Sequence, residues 1–283
     1  MQRQDFSSRI LIAAALCGAC ACVDPVTTGS GGGFRFAVLD VGQGLAQAGV
    51  RKGNAVVWDT GDSSAVRAWG DGMDRLGPPF VKAIVVSHGD MDHKGGLGRL
   101  PAGSAFSGEI VVSPYEDTAS LRAFAANWTD AIRFRTVSRG DTLGYLDSVG
   151  IECIWPPDSQ ELGGEFLDHA DRNRLSLCFI VSFGETRVLL TGDIDSVATK
   201  QLSARYGARL RADAVVVPHH GSRGSLDPVF YGYVNPDAAM ISCGIDNTYG
   251  HPAEEVIRLL AIQMSVVVYD TRFDGHVFGT SNG

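Results

Sequence analysis

The sequence predicts an α/β fold in which helices cover the sheets. Short apolar runs bounded by Gly, Asp or Asn alternate with helical patterns in two comparable halves of the chain. Several of the apolar runs end directly, or almost directly, in Asp or His. Because α/β proteins place ligands at the carboxyl ends of strands, these endings predict a functional site there.

The composition is that of a globular protein. Of the 283 residues, 45% are hydrophobic and 20% are charged, and 35 Gly with 11 Pro indicate many tight turns. The formal net charge of −8 argues against a broadly basic surface that grips nucleic acid. A bound metal pair would reverse the potential locally, so a nucleic-acid substrate is not excluded.

The first half of the chain is predicted to be rich in strands. Strands are predicted over residues 34–41, 55–58, 83–86, 109–112, 133–137 and 151–155, with a helix around 119–127. The first three strands lead into polar turns: Gly42-Gln43-Gly44, Asp59-Thr60-Gly61 and the segment Ser87 to His93.

The second half repeats this organisation. A hairpin is predicted over 175–183 and 186–190, followed by a helix over 196–206, strands over 214–217 and 238–242, a helix over 253–263 and a strand over 265–269. The hairpin ends in Thr191-Gly192-Asp193, and the strand at 214–217 ends in Pro218-His219-His220.

The first 33 residues differ from the rest. Two arginines precede the apolar run Ile10 to Ala21, which is too short for a mature transmembrane helix. This order predicts an export signal over residues 1–22, a flexible linker over 23–33 and a folded domain over 34–283. Cysteines at positions 17, 20 and 22 resemble a lipoprotein processing site, with Cys20 or Cys22 lipidated. The alternative is a cysteine-rich leader without lipid.

The segment Ser87 to His93 carries a dense group of potential metal ligands: His88, Asp90, Asp92 and His93. Two His and two Asp are costly to bury unless a cation binds them, and a divalent metal is the simplest such cation. The alternative for the segment alone is a solvated acidic loop. The remaining cysteines stand in apolar strands without close spacing, which predicts buried, unreactive thiols: Cys153, Cys178 and Cys243.

Together with Asp193 and His219, these ligands suffice for two divalent ions bridged by Asp193. Two ions about 3.5–4 Å apart can activate water as hydroxide and hold a phosphoryl or acyl oxygen. The sequence contains no Gly-x-Ser-x-Gly elbow, Walker loop or dinucleotide fingerprint that would support another mechanism.

The ordered motifs resemble the metallo-β-lactamase-like domain of ComEC competence proteins over residues 34–283. They are Asp40-Val41-Gly42-Gln43-Gly44, Asp59-Thr60-Gly61, Ser87 to His93 with Gly95-Gly96-Leu97, Asn173 with Ser176, Thr191-Gly192-Asp193, Pro218-His219-His220-Gly221-Ser222 and Tyr249-Gly250-His251-Pro252. The resemblance implies an αββα four-layer metallo-β-lactamase sandwich of two pseudo-repeated halves. It also implies a hydrolase, with nuclease action on DNA as the proposed activity.

The resemblance also implies residue roles. His88 and Asp90 would hold one metal, Asp92, His93 and His219 the other, and Asp193 would bridge them. Asp92 and His251 are the predicted catalytic residues. Supporting or substrate-contacting roles fall to Asp59, Asn173, Ser176, His220 and Ser222. The sequence leaves open whether His219 or His220 faces the metal.

Two departures from the superfamily pattern bear on the cofactor. Asp90 stands where a His is usual, and no isolated His aligns between the first motif and Asp193, where Asn173 and Ser176 fall instead. An oxygen-rich site favours harder ions, so two divalent ions, Zn²⁺ or Mn²⁺, are predicted, with Mn²⁺ preferred at that site. His169 and His276 are predicted to be surface residues.

The function predicted from these observations is an exported, metal-dependent phosphodiesterase or nuclease using a metal-bound hydroxide. Its predicted partners are a phosphodiester substrate such as DNA, and the cell envelope through a lipid anchor alone, since this chain has no membrane channel like that of ComEC. The alternative is hydrolysis of a small or cell-envelope ester, such as a phosphocholine ester or a lactone. A metal-free binding protein is a third hypothesis. β-Lactam hydrolysis is disfavoured by Asp90 and the absent His. No oligomeric state is predicted.

Overall fold

The computed structural model describes residues 11–15, 32–77, 80–99, 106, 108–124, 132–162 and 172–283. Its first sheet has eight strands in the spatial order β1-β14-β2-β3-β4-β5-β6-β7. Their bounds are β1 Leu11–Ala15, β2 Phe34–Val38, β3 Ala46–Arg51, β4 Asn54–Thr60, β5 Phe80–Val85, β6 Glu109–Val112, β7 Arg133–Thr136 and β14 His276–Ser281. Pairing is antiparallel from β1 to β4 and parallel from β4 to β7.

The second sheet has six strands in the order β13-β12-β11-β10-β9-β8. Their bounds are β8 Gly150–Trp155, β9 Cys178–Phe183, β10 Thr186–Leu190, β11 Ala214–Val216, β12 Ala238–Ile241 and β13 Val267–Asp270. It is antiparallel from β8 to β10 and parallel from β10 to β13. Each sheet therefore changes from antiparallel to parallel pairing along its length, which gives the two halves a shared organisation.

Helices flank both sheets. They are α1 Val66–Arg75, α2 Met91–Lys94, α3 Thr118–Phe124, α4 Ser159–Leu162, α5 Ser196–Tyr206, α6 Pro228–Val234, α7 Glu254–Ile257 and α8 Thr271–Asp274. A π-helical turn, Arg258–Gln263, continues α7. Within the described ranges, no helix is both long and apolar enough to cross a membrane.

Three apolar clusters hold these layers together. One lies between the sheets and includes Phe36 and Trp58 from the first with Phe179 from the second. Another packs α1 on the outer face of the first sheet, where Trp69 and Met73 are buried. The third packs α5, α6 and α7 on the second sheet. This layering confirms the predicted αββα sandwich of two related halves.

The amino-terminal strand β1 falls inside the predicted export signal. It pairs antiparallel with β14, and the Tyr269 hydroxyl donates to the carbonyl of Ile12 at 3.2 Å. The rest of the signal and most of the linker, residues 1–10 and 16–31, lie outside the described residues. The export signal stays a prediction.

Buried polar groups refine two predictions. His276 is buried, not at the surface as predicted, because it begins β14 inside the sheet, where its Nδ1 accepts from the backbone N–H of Asp40 at 2.9 Å. His169 lies outside the described residues. The predicted buried thiols are confirmed, and burial raises the pKa of Cys153 to about 12.

The polar strand endings gather at one edge of the sandwich. The parallel pairs β4–β5 and β10–β11 lie next to the change of pairing in their sheets, and each leads into a loop that carries Asp or His. Ligand sites of open α/β sheets occupy such positions.

Candidate metal centre

The loop after β5 presents its side chains through a tight turn into α2. Asp90 precedes the helix, and the backbone N–H groups of His93 and Lys94 donate to its carbonyl. The carbonyl of Asp92 accepts from Leu45 N–H at 3.0 Å. A Cβ on Gly44 would stand 2.4 Å from that same carbonyl, so the turn after β2 must have glycine there to pack on the loop.

Asp59 lies behind His93 and fixes its orientation. This fully buried carboxylate contacts His93 Nδ1 at 2.8 Å and accepts from the backbone N–H and hydroxyl of Ser87, each at 2.7 Å. Asp59 has a left-handed backbone, with φ 58°, which aims its carboxylate into the loop. Its contact on Nδ1 leaves Nε2 of His93 to face the cluster, the arrangement common for metal-binding histidines.

Asp193 follows β10 and occupies the centre of the cluster. Its Oδ1 lies 3.2 Å from His93 Nε2, and its Oδ2 lies 3.4 Å from His220 Nε2 and 3.7 Å from His219 Nε2. Its backbone N–H donates to Ser176 Oγ at 3.2 Å. Contacts from both oxygens to histidines of both halves are what a bridging ligand requires.

His220, and not the predicted His219, reaches the buried cluster. Both residues have left-handed backbones, with φ 51° for His219 and 56° for His220. This turn sends His220 inward, where its Nδ1 donates to the carbonyl of Ser242 at 2.7 Å and its Nε2 lies 3.4 Å from Asp92. His219 stays half-exposed at the rim, 3.3 Å from the amide of Asn173. Of the two histidines that the sequence left open, His220 therefore lies in the cluster and His219 lies at its rim.

The donor atoms of this cluster fit a bound cation. Four of them are buried without a hydrogen-bond partner among the described residues: His88 Nε2, His93 Nε2, His220 Nε2 and Asp193 Oδ1. Ligand atoms of His88, His93 and Asp193 lie within 4.8 Å of one another, as do those of Asp92, His93 and His220. Buried polar atoms without partners are costly, and divalent metal ions would satisfy all four.

The electrostatics of the cluster favour anionic carboxylates. Burial alone would raise the pKa of Asp193, but His220 and His93 hold it well below its usual range. Burial would likewise raise the pKa of Asp92, and contacts with His220 and His93 lower it to about 2. The same contacts raise the pKa of His220 to about 9, so a cation bound here would replace protons on the imidazoles.

The position next to His88 is richer in oxygen than in nitrogen. Asp90 Oδ2 lies 3.5 Å from His88 Nε2, with the Asp90 side chain 45% exposed, so it stands at the open side of the cluster. Contact with His88 lowers the pKa of Asp90. Asn173 lies at the rim beside His219. Asp90 and Asn173 are the two positions at which the sequence departs from the histidine-rich pattern of the superfamily.

His251 lies at the rim of the centre, outside the buried cluster. Its ring is 5.6 Å from that of His219, and it stacks on Tyr249 at 5.8 Å with 18° between the planes. Burial lowers the pKa of His251, and the neighbouring His219 and His220 lower it further. A neutral imidazole at the rim can accept a proton or contact a substrate.

Two polar residues show what the sequence alone does and does not reveal. Ser222 was a predicted supporting residue, but its hydroxyl accepts from Gly224 N–H within its own turn. Glu116 was not predicted, yet its carboxylate accepts from Gly89 N–H at 3.0 Å and braces the ligand loop. No motif marks Glu116, because it follows β6 and meets the ligand loop only in the folded protein.

Comparison with known proteins agrees with this geometry. Residues 45–244 match the model of the metallo-beta-lactamase superfamily. The chain is 30% identical over 224 residues to competence protein ComA of Neisseria gonorrhoeae, covering 77% of this chain and 28% of ComA. It is 28% identical over 184 residues to ComE operon protein 3 of Bacillus subtilis, covering 64% of this chain and 22% of that protein. The chain thus spans under a third of the length of these curated relatives.

Solved structures share the fold at low sequence identity. YhfI of Bacillus subtilis, a metallo-beta-lactamase fold protein, superimposes with a TM-score of 0.57 at 11% identity, covering 88% of this chain and 100% of YhfI. Zn²⁺-bound PqqB of Methylobacterium extorquens gives a TM-score of 0.57 at 13% identity, covering 86% and 99% of the two chains. The matched family model, the ComEC-type relatives and the shared fold establish that this chain belongs to the metallo-beta-lactamase superfamily.

Proposed function

We propose that this chain is a metal-dependent phosphodiesterase or nuclease. The observation that supports this proposal is a cluster of four buried atoms without hydrogen-bond partners, Oδ1 of Asp193 and Nε2 of His88, His93 and His220, beside the ionised carboxylates of Asp193 and Asp92. Two divalent ions bound there would supply Lewis acidity and lower the pKa of coordinated water to about 7. Such a centre suits hydrolysis of a phosphoryl or acyl bond.

The protein's own residues would divide the work. His88, Asp90 and Asp193 would hold one ion, and Asp92, His93, His220 and Asp193 the other. Asp59 fixes the ring of His93 through Nδ1. His251, at the rim with a lowered pKa, is positioned to hold or move a proton on the substrate side.

Two observations support phosphodiester chemistry. The carboxylate of Asp90 beside His88 favours a hard ion such as Mn²⁺, which suits phosphate oxygens. The sequence relatives include proteins named competence protein ComA and recombination protein 2, and these names point toward DNA. We carry that substrate class over to this chain.

Metal loading and a substrate panel test the proposal together. Protein stripped by chelation is reloaded with Mn²⁺, Zn²⁺ or Mg²⁺, its metal content is measured, and single-stranded DNA, double-stranded DNA and bis(p-nitrophenyl) phosphate are offered. We expect about two ions per chain and strongest hydrolysis with Mn²⁺. Asp193→Ala should lower turnover at least about 100-fold, since partners of metal ligands alone are worth about 10- to 100-fold.

The control is Asp74→Ala, which removes an exposed carboxylate from α1 and should leave turnover unchanged. The proposal fails if fully loaded protein leaves every phosphodiester intact. Less than one equivalent of metal on carefully reloaded protein would favour a metal-free binding role instead.

A small or cell-envelope ester is the second candidate substrate, favoured by the formal net charge of −8. If DNA is the substrate, binding through phosphate contacts releases counterions, and turnover on DNA should fall steeply as the salt concentration rises. That result would count against the ester. A flat salt dependence with turnover of a phosphocholine ester or a lactone would select this candidate.

We propose further that the chain is exported and lipid-anchored through Cys20 or Cys22. The support is the order of two arginines, a short apolar run and crowded cysteines. Expression of Cys20→Ala and Cys22→Ala variants, followed by detergent phase partition, tests the anchor. Loss of detergent partition in one variant identifies the lipidated residue, and aqueous partition of the unaltered protein contradicts the proposal.

A further inference from the structure

Tyr249 is a large aromatic residue that remains exposed beside the metal centre. It is 69% exposed, although one face of its ring stacks on His251. His251 in turn lies 5.6 Å from His219, whose Nε2 is 3.7 Å from Asp193. The rings of His219, His251 and Tyr249 are thus neighbours in series, with His219 beside Asp193 and Tyr249 exposed to solvent.

The loop that carries Tyr249 is held in place by side chains. The amide of Asn247 donates to the carbonyls of Gly244 and His251, each at 2.7 Å, and its oxygen accepts from His251 N–H at 2.9 Å. Arg272, paired with Asp270, adds a contact to the His251 carbonyl at 3.4 Å. The aromatic pair therefore presents a preformed surface.

An aromatic ring held at the rim of a phosphodiesterase centre is suited to contact a flat aromatic group of the substrate. Every nucleobase has a flat π-face, and stacking on an aromatic side chain holds it without regard to sequence. This protein carries a formal net charge of −8, so attraction between overall charge and a phosphate backbone would not supply that hold. Stacking on an aromatic side chain can hold a nucleotide substrate without positive charge on the protein.

We propose that Tyr249 stacks on a nucleobase next to the scissile phosphate and so selects nucleotide substrates with an unpaired base. This inference rests on the proposed phosphodiesterase function and deepens it. A base within a duplex is already stacked on its neighbours, and taking it out of the duplex costs a few kcal/mol. The site is therefore assigned to single-stranded nucleic acid and to the frayed ends of duplexes.

The test compares a substrate that has bases with one that lacks them. Wild type, Tyr249→Leu and Tyr249→Phe, each loaded with Mn²⁺, are given dithymidine phosphate, its analogue with tetrahydrofuran residues in place of both nucleosides, and glycerophosphocholine. Cleavage is followed by chromatography, and KM and kcat are determined separately. Tyr233→Leu is the matched control, since Tyr233 is an exposed tyrosine on α6.

Tyr249→Leu should raise the ratio of KM for dithymidine phosphate to KM for the abasic analogue by about 5- to 100-fold, the value of one base stack. The effect on kcat should be smaller, Tyr249→Phe should keep most of the preference, and Tyr233→Leu should match wild type.

Three results would overturn the inference, and each differs from the others. An unchanged KM ratio in Tyr249→Leu, while the wild type cleaves both substrates, removes the stacking role and leaves the proposed function standing. Failure of the wild type to cleave dithymidine phosphate overturns this inference, and it removes the proposed function as well only if DNA and bis(p-nitrophenyl) phosphate also stay intact. A KM increase confined to glycerophosphocholine would reassign the ring to a quaternary ammonium group.

Discussion

Asp59 lies behind His93 and fixes the orientation of its imidazole ring. Its carboxylate accepts from two groups of Ser87 and contacts His93 Nδ1, so Nε2 of His93 faces Asp193. Ser87 also contacts the Nδ1 atoms of His88 and His93, at 3.1 and 3.3 Å. The orientation of both imidazoles thus depends on a single buried pair, Asp59 and Ser87.

Asp59→Asn should weaken metal binding without unfolding the protein. Asn tolerates the left-handed backbone at this position, but its amide can donate to His93 Nδ1 and so reverse the tautomer. We expect Mn²⁺ affinity or turnover to fall about 10- to 100-fold. Calorimetric titration measures the affinity, with Asp62→Asn in the adjacent exposed turn as control. Wild-type affinity in Asp59→Asn would contradict the orienting role.

The orientation of His219 and His220 could not be predicted from the sequence. The ligand types and their strand-end positions are visible in the sequence, because Asp and His after an apolar run are uncommon in a core. Which of two adjacent imidazoles points inward depends on backbone angles, here φ 51° and 56°, that ordinary residues seldom adopt. The sequence carries no sign of that turn.

Three elements were predicted with the bounds that the structure shows. The strand at 109–112, the second arm of the hairpin at 186–190 and the helix at 196–206 agree with the structure at both ends. The strand β3 was missed, because small and polar residues, including Gln47 and Gly49, replace the usual β-branched alternation. Helix α1 was missed, although its apolar residues fall on one face, because its two glycines have low helix propensity.

Helix α6 depends on a buried cap that links it to α5. Asp227 accepts from the N–H groups of Val229 and Phe230, and the hydroxyl of Thr199 donates to it at 3.0 Å. Asp227→Ala removes the acceptor of both N–H groups and leaves the Thr199 hydroxyl only the carbonyl of Ser196, at 3.2 Å. We expect the free energy of unfolding to fall by about 2–4 kcal/mol, the sum of a lost cap and unsatisfied buried donors.

Urea unfolding followed by circular dichroism measures this loss. The control is Asp117→Ala, which removes an exposed side chain that accepts from Ala119 N–H next to α3. Because water replaces its contact, the control should cost about 0.5–1 kcal/mol. Equal losses in the two variants would show that burial of the α6 cap contributes nothing.

At the scale of the whole molecule, two similar halves and their shared edge were predictable. Strand-end ligands occur in both halves of the sequence, and each sheet of the structure turns from antiparallel to parallel pairing near its ligands. The role of β14 was not predictable, since it pairs with β2 across more than two hundred residues of chain. Pairing at such separation leaves no local pattern.

His276, which begins β14, should make the stability of the whole molecule fall in acid. Burial and the nearby Arg75 lower its pKa below the usual 6.5, so the unfolded chain binds this proton more readily than the folded one. Its contribution is full above pH 6.5 and is lost as the pH falls below it. The slope for this one proton cannot exceed about 1.4 kcal/mol per pH unit.

Unfolding of the metal-free protein between pH 5 and pH 8 measures this slope. His276→Gln keeps an acceptor for Asp40 N–H but takes up no proton, so its stability should decline less on acidification. Other histidines titrate in both proteins, so their effects cancel in the difference. Parallel stability curves for the two proteins would rule out a contribution from His276.

The candidate metal centre would draw its ligands from loops of both sheets, with His88, Asp92 and His93 from one and Asp193 and His220 from the other. An ion held by both halves favours only conformations in which the halves are docked. Opening of either half releases the ion, so the two halves unfold as one cooperative unit when it is bound. Chelation should therefore loosen the packing between the sheets as well as stop turnover.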